Sequence, residues 1–175
     1  MSHQITEIKA RCPDLARCEA VLRGLGARFV GLDRQVDTYF PCADGRLKLR
    51  EGTIERSLIA YRRPTQSGPK QSDVTMTRLP ADVALKPVLA AALGVLVEVV
   101  KERQIWFVDN VKVHLDRLDG LGEFVEVEAI DLTGELGPER RLAQCRELMA
   151  ALGVADDDLL TDSYSDMLLA RRSAS

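Results

Sequence analysis

The stretch "VKVHLDRLDGLGEFVEVEAI", residues 111–130, holds two extended runs around a glycine-rich turn. Read with period two, the first run sets Lys112, His114 and Asp116 on one face and Val113 and Leu115 on the other. The second sets Glu126 and Glu128 against Val125 and Val127. The "DGLG" between them is hairpin chemistry, so the two runs pair antiparallel. Each strand thus has an apolar face and a charged face, and the fold turns on which of them looks inward.

The same alternation recurs along the chain. "ITEIKARC" (5–12) carries Ile5, Glu7, Lys9 and Arg11 on one face. "GRLKLR" (45–50) puts Arg46, Lys48 and Arg50 opposite Leu47 and Leu49. Tyr61 and Arg63 share a face in "IAYRR", as do Lys101 and Arg103 in "VVKERQI". Extended runs are also expected in "ARFVGLDRQVDTYF" and "VTMTRL". Turns are expected at "CADG", "EGT" and "DN", and a loop at "PTQSGPKQSD" (64–73). Helices are expected over "CPDLARCEAVLRGLGA", with Pro13 in its first turn, over "PADVALKPVLAAALG" with a kink at Pro87, and over "GPERRLAQCRELMAALG". A shorter one follows in "DDDLLTDSYSDMLLARR". About eight strands joined by tight turns, with helices at the start, middle and end, give an α+β chain of antiparallel strands with flanking helices, for which a barrel or a strongly curved sheet is expected.

A sheet with one wet face is the plain alternative. Two features weigh against it. Cations two residues apart on a strand lie roughly 7 Å from each other, so a row such as Arg46, Lys48 and Arg50 repels itself unless an anion sits between. The charges also segregate, basic on three strands and acidic on another, where a solvated face mixes signs with Ser, Thr and Gln. If the apolar faces are covered by helices, the charged faces line the barrel and hold a polyanion with its cations. Arg and Lys rows bind phosphate oxygens, and Glu126, Glu128 and Glu7 are hard oxygen ligands suited to Mg²⁺ or Mn²⁺. No P-loop or dinucleotide fingerprint is present.

Composition narrows the classes. The 175 residues, expected as one domain over 1–175, are 46% hydrophobic and 29% charged, as in an ordinary globular chain. A net charge of −3 disfavours nucleic acid as a partner. The longest apolar run, residues 87–97, is too short to cross a membrane. Cys12, Cys18, Cys42 and Cys145 show neither CxxC nor zinc spacing, and reduced thiols in the cytoplasm are the expected state.

"TEIKARC", "DTYF…GRLKLR", "YRRP…GPK", "VVKERQIW", "VHLDRLDGLGEFVEVE" and "SYSDMLL", in this order from about residue 4 to 170, resemble the CYTH superfamily, named for class IV adenylate cyclase and thiamine triphosphatase. "DRQVDTYF" and "HLDRLDGLGEFVEVE" look closest to the cyclase-like branch. The resemblance implies a closed eight-stranded tunnel for a triphosphate and divalent metal. Members cyclise ATP to cAMP and pyrophosphate, or hydrolyse thiamine triphosphate, tripolyphosphate or an RNA 5′-triphosphate. Carried over by motif, the phosphate-binding basics fall on Lys9, Lys48, Arg50, Arg63, Lys101 and Arg103, with Lys70 in a lid loop. Metal carboxylates fall on Glu7, Glu126 and Glu128, and Lys9, Arg103 and Asp116 are assigned to catalysis. The family's first motif is Glu-x-Glu-x-Lys, and Ile5 stands here in place of its leading Glu.

The expected partner is therefore a triphosphate small molecule (ATP, thiamine triphosphate or tripolyphosphate), with a homodimer left open. A non-catalytic polyphosphate or nucleotide-binding module is the rival reading, and Ile5 favours it. Several residues carry two readings. His114 is a general base or a hydrogen-bonded wall residue, and Trp106 stacks on a base or packs in the core. Tyr164 and Asp166 order the site or cap a helix. Cys12 is core.

Overall fold

The computed structural model describes residues 2–12, 14–62, 70–131 and 134–173, without the side chains of residues 2–4, 70 and 71. Eight strands form a closed antiparallel barrel: β1 (Ser2–Arg11), β2 (Arg28–Phe40), β3 (Arg46–Gly52), β4 (Arg56–Arg62), β5 (Lys70–Arg78), β6 (Val97–Val108), β7 (Val111–Leu118) and β8 (Gly122–Asp131). Around the barrel the order is β1-β5-β4-β3-β2-β6-β7-β8, with β8 returning to β1. Two meanders, β2 to β5 and β6 to β8, are therefore sewn together by β1 on one side and by the β2–β6 pair on the other.

The expected class and closure are found, and the charged faces do point inward. Arg103 on β6 bonds Glu126 on β8 across the intervening β7. Lys112 on β7 meets Glu55, which follows β3, although β6 and β2 separate those strands in the wall. Such bridges are open only to side chains on the concave face.

The convex face of β1, β7 and β8 is apolar and covered. Ile8, Ala10, Val113, Leu115, Val125, Val127 and Ala129 form one core with α1 (Leu15–Gly24) and α3 (Pro138–Ala151). Asp14 caps α1 by accepting from the Arg17 N–H at 2.9 Å, and Leu15, Cys18 and Leu22 bury its inner stripe. Its C-terminus closes by bonds from the Gly26 and Ala27 N–H groups to the Arg23 and Leu22 carbonyls, with Gly26 at φ 70°. Trp106 and Cys12 belong to this outer core, so Trp106 takes the packing reading. Leu47 is half-buried and Leu49 buried, but neither joins the core under α1 and α3.

A second apolar cluster lies on the inner face at one end. Tyr39, Val97, Val99, Leu118 and Phe124 pack with Tyr164, Met167 and Leu168 of α4 (Tyr164–Ser173). Ser163 caps α4 reciprocally with Asp166: the Asp166 N–H donates to Ser163 Oγ, and the Ser163 N–H to Asp166 Oδ2 at 3.0 Å.

Several boundaries differ from the sequence reading. β5 begins at Lys70, so residues 70–73 are strand and not loop. Their pairing with β1, Glu7 opposite Lys70, holds a polar segment extended against its own turn propensity. α2 is confined to Lys86–Leu93, and Pro87 opens it rather than kinking it, because a first-turn N–H has no intrahelical acceptor to lose. The "DDD" segment forms a 3-10 turn at Asp156–Asp158, apart from α4. Pro13 lies outside the described residues.

Leu22 is fully buried between α1 and the barrel wall. Leu22→Ala is expected to cost about 2–5 kcal/mol through lost burial and the cavity left behind. In urea unfolding this appears as a lower midpoint at unchanged slope.

Candidate functional site

Two groups of ion pairs fill the middle of the barrel. On β2, Asp37 accepts from Arg50 Nε at 2.8 Å and Nη2 at 2.9 Å, from Lys48 Nζ at 3.0 Å and from Lys101 Nζ at 2.9 Å. Three cations on two neighbouring strands thus share one fully buried carboxylate. Despite the cost of burial, Arg50, Lys101 and Lys48 hold Asp37 well below the usual carboxylate range. Lys101 shows the opposite balance. Burial first, then Arg103, Arg50 and Lys48, outweigh Asp37 and lower its ammonium to about 7.

The second group centres on Arg103. Its guanidinium spans both oxygens of Asp116, at 2.6 and 2.5 Å, and reaches Glu126 Oε2 at 2.7 Å. Tyr164 donates its hydroxyl to Asp116 Oδ2 at 2.8 Å, and burial followed by Asp116 raises that phenol well above its ordinary value. Lys9 lies 3.4 Å from Glu126 Oε1 and 4.0 Å above the Tyr164 ring. Against burial, Lys9 and Arg103 hold Glu126 well below the usual range.

The carboxylates of β8 continue toward Glu7, which pairs in register with Glu128. Burial, then Glu126, raise Glu128 to about 7, with Glu7 adding to the effect. His114 stands beside both β8 carboxylates, its Nδ1 3.5 Å from Glu126 Oε2 and 3.7 Å from Glu128 Oε1. Burial and Arg103 lower it to about 3, so the imidazole is neutral near pH 7. One ligand atom from each of His114, Glu126 and Glu128 lies within 4.8 Å of the others. Nitrogen and carboxylate donors at this spacing suit a divalent ion.

A further anion enters from the wall. Gly52 lies so close to Asp33 that a Cβ there would meet the Asp33 carboxylate at 2.6 Å. That approach lets Asp33 accept from the backbone N–H groups of Ile54 at 2.8 Å and Glu55 at 2.9 Å and from the Thr53 hydroxyl at 3.0 Å. The turn so held directs Glu55 into the barrel, where it bonds Lys112 and, at 3.0 Å, Arg50.

Most of the residues expected from sequence converge. Lys9, Lys48, Arg50, Lys101, Arg103, Asp116, Glu126 and Glu128 form the linked interior just described. Glu7 is buried next to them in register. Arg46 leaves the row and bonds Ser163, Ser165 and Asp166 at the start of α4. Asp166 is thus a cap, whereas Tyr164 reaches the interior. Lys70 opens β5 and is not part of a loop, its side chain being outside the described set, and Arg63 lies outside the described residues.

Ile5 has an apolar setting. It packs with Ile59 and Val74 and faces Ile130 across the β1–β8 ladder, so a carboxylate there would be buried among apolar side chains. Among the described residues His114 makes no hydrogen bond, and it is not partnered with Asp116, whose oxygens are taken by Arg103 and Tyr164. Asp37 and Glu55 were missed. Asp33, Gln35 and Asp37 recur with period two in "DRQVD", and that spacing was the available signal for Asp37. Glu55 sits in a turn, where no periodicity points anywhere.

The comparisons with known proteins agree with this fold. The family model described as CYTH domain matches residues 3–164. A protein of Methanocaldococcus jannaschii, provisionally named an adenylate cyclase, is 24% identical over 169 residues, covering 92% of this chain and 96% of that protein. A solved structure from Pyrococcus horikoshii OT3 superposes with a TM-score of 0.78 at 21% identity, covering 93% of this chain and 98% of its own. A Hippeastrum protein, provisionally called an adenylyl cyclase and described as having a dominant triphosphatase activity, superposes at 0.60 with 15% identity over 97% of this chain and 96% of its own. With the family model spanning all eight strands, the chain belongs to the CYTH family.

Proposed function

We propose that the barrel is a divalent-metal-dependent enzyme acting on a triphosphate, as a class IV adenylate cyclase or a related triphosphatase. The observation that carries this reading is the convergence of Lys48, Arg50, Lys101 and Arg103 beside the His114, Glu126 and Glu128 cluster inside a closed wall. The names and activities given to the relatives support the same class. ATP, thiamine triphosphate and tripolyphosphate share the chain that this band of cations fits, and Mg²⁺ or Mn²⁺ suits the carboxylates.

The protein's own groups would work as follows. Lys48, Arg50 and Lys101 exchange Asp37, and Arg50 and Lys112 exchange Glu55, for phosphate oxygens. Asp116, held by Tyr164, orients Arg103 toward charge that develops on the leaving phosphate. Lys9, steadied by the Tyr164 ring and Glu126, faces the same region. A bound divalent ion would neutralise phosphate charge and favour departure of the leaving group. In cyclisation the ribose 3′-hydroxyl attacks the α-phosphate and pyrophosphate leaves. In hydrolysis water attacks a terminal phosphate.

Incubating the protein with each of the three substrates, with Mg²⁺ and Mn²⁺ in turn, separates cAMP and pyrophosphate from orthophosphate. Glu126→Ala and Glu128→Ala are expected to abolish metal-dependent turnover, and near-wild-type rates in both would remove the metal from this position. Tight binding of all three without any product would replace the enzyme by a polyphosphate-binding module, the reading that Ile5 favours.

Asp37→Asn leaves Arg50, Lys48 and Lys101 buried with no shared anion, and is expected to destabilise the free protein by about 3–5 kcal/mol. Added tripolyphosphate should raise the melting temperature of this variant more than that of the wild type.

Lys101 faces Asp37, Arg103, Arg50, Lys48 and the Tyr164 ring, and in the free protein it loses its proton near pH 7. A bound polyanion favours the charged form, so binding takes up a proton and weakens as pH rises from 7 to 9, by at most about tenfold in Kd per unit. Calorimetry of tripolyphosphate binding in buffers of different ionisation enthalpy measures that uptake. Lys101→Arg, which keeps its charge, should remove this part of the uptake and leave only that of Glu128, which ionises in the same range.

A further inference from the structure

His114 is 1% exposed, and among the described residues neither ring nitrogen has a hydrogen-bond partner. A buried imidazole normally satisfies at least one nitrogen, because stripping it of water without compensation costs on the order of 1–3 kcal/mol. The ring is nonetheless aimed at two carboxylates, with Nδ1 3.5 Å from Glu126 Oε2 and 3.7 Å from Glu128 Oε1. Two donors that each sit about 2.1 Å from one ion lie within a few tenths of an ångström of such separations. The same side of the barrel lacks the leading carboxylate of the family's first motif, since Ile5 packs among Ile59, Val74 and Ile130.

We infer that His114 is itself a metal ligand, completing with Glu126 and Glu128 a nitrogen–oxygen site that selects a transition ion such as Mn²⁺ over Mg²⁺. The step rests on the proposed metal-dependent reading of the barrel and assigns to it a donor of a different kind. Imidazole favours first-row transition ions, whereas Mg²⁺ prefers oxygen donors and retained water. Arg103 bonds the same Oε2 of Glu126 that His114 approaches, and Lys9 lies by Oε1, so the carboxylate is held in place before any ion arrives. A ligand replaced in kind, nitrogen for a missing oxygen, also explains a buried histidine that would otherwise be an uncompensated loss.

Pulsed EPR of the wild-type protein with Mn²⁺ alone, without phosphate, tests this directly. Coupling of the electron spin to a directly bound ¹⁴N is expected, since among these three side chains only the histidine has nitrogen. In His114→Gln the coupling should vanish and Mn²⁺ affinity should fall at least about tenfold, while Mg²⁺ affinity changes little. Mn²⁺ bound without ¹⁴N coupling, absence of bound Mn²⁺, or unchanged Mn²⁺ affinity in a folded variant would each overturn the assignment. If the variant does not fold, the wild-type spectrum decides alone. Turnover of triphosphates by the wild type is read separately: turnover without ¹⁴N coupling overturns the histidine ligand and leaves the proposed function, and coupling without turnover does the reverse.

Discussion

Arg103 spans Asp116 and Glu126 from the middle of β6, and this bridge over three strands lets a barrel be lined with charge and still close. Burying a guanidinium without such partners would cost several kcal/mol, a large part of the stability of a domain of this size. Asp37, on the neighbouring strand β2, performs the same service for Lys48, Arg50 and Lys101. Between them the interior is largely neutralised by groups of its own, arranged so that the cations are already extended and desolvated. An incoming polyanion therefore finds donors whose ordering cost was met on folding.

The strands and their inward faces were legible in the sequence because a closed antiparallel wall imposes period two on every segment. "VKVHLDRL" and "GEFVEVEAI" differ in which ion they carry, yet both put valine or leucine under α1 and α3. Legibility failed where pairing, not pattern, decides. Residues 70–73 are polar and follow a Pro/Gly/Ser run, and only the ladder to β1 makes them strand. It failed again for charges placed by turns. Glu55 reaches the interior because Asp33 grips the backbone ahead of it, a contact between distant segments that no local reading contains. His114 and Asp116 share a face as expected, but Asp116 is claimed by Arg103 and Tyr164, and that competition is settled in three dimensions.

Family membership frames the departure at Ile5 rather than explaining it. The barrel has turned that position into an apolar contact with Ile130 across the β1–β8 seam and with Ile59 and Val74 beyond. One end of the interior is apolar as well, where α4 packs on Val97, Val99, Leu118 and Phe124. The charged band is thus bounded by greasy walls that keep the local dielectric low. Such walls strengthen each ion pair and make an unmatched charge costly.

The seam has a consequence for how the chain is made. Glu7 and Lys9 come to face Glu128 and Glu126 only through the β1–β8 ladder, which joins residues about 120 apart in sequence. A chain emerging from the ribosome can build the β2–β5 meander early, but its first strand must wait for its last before the wall exists. Until then Lys9 and Glu126 are strangers, and half of the charged lining faces water. The first and last strands thus act as a clasp, and the charged interior is assembled in the same event that completes the barrel.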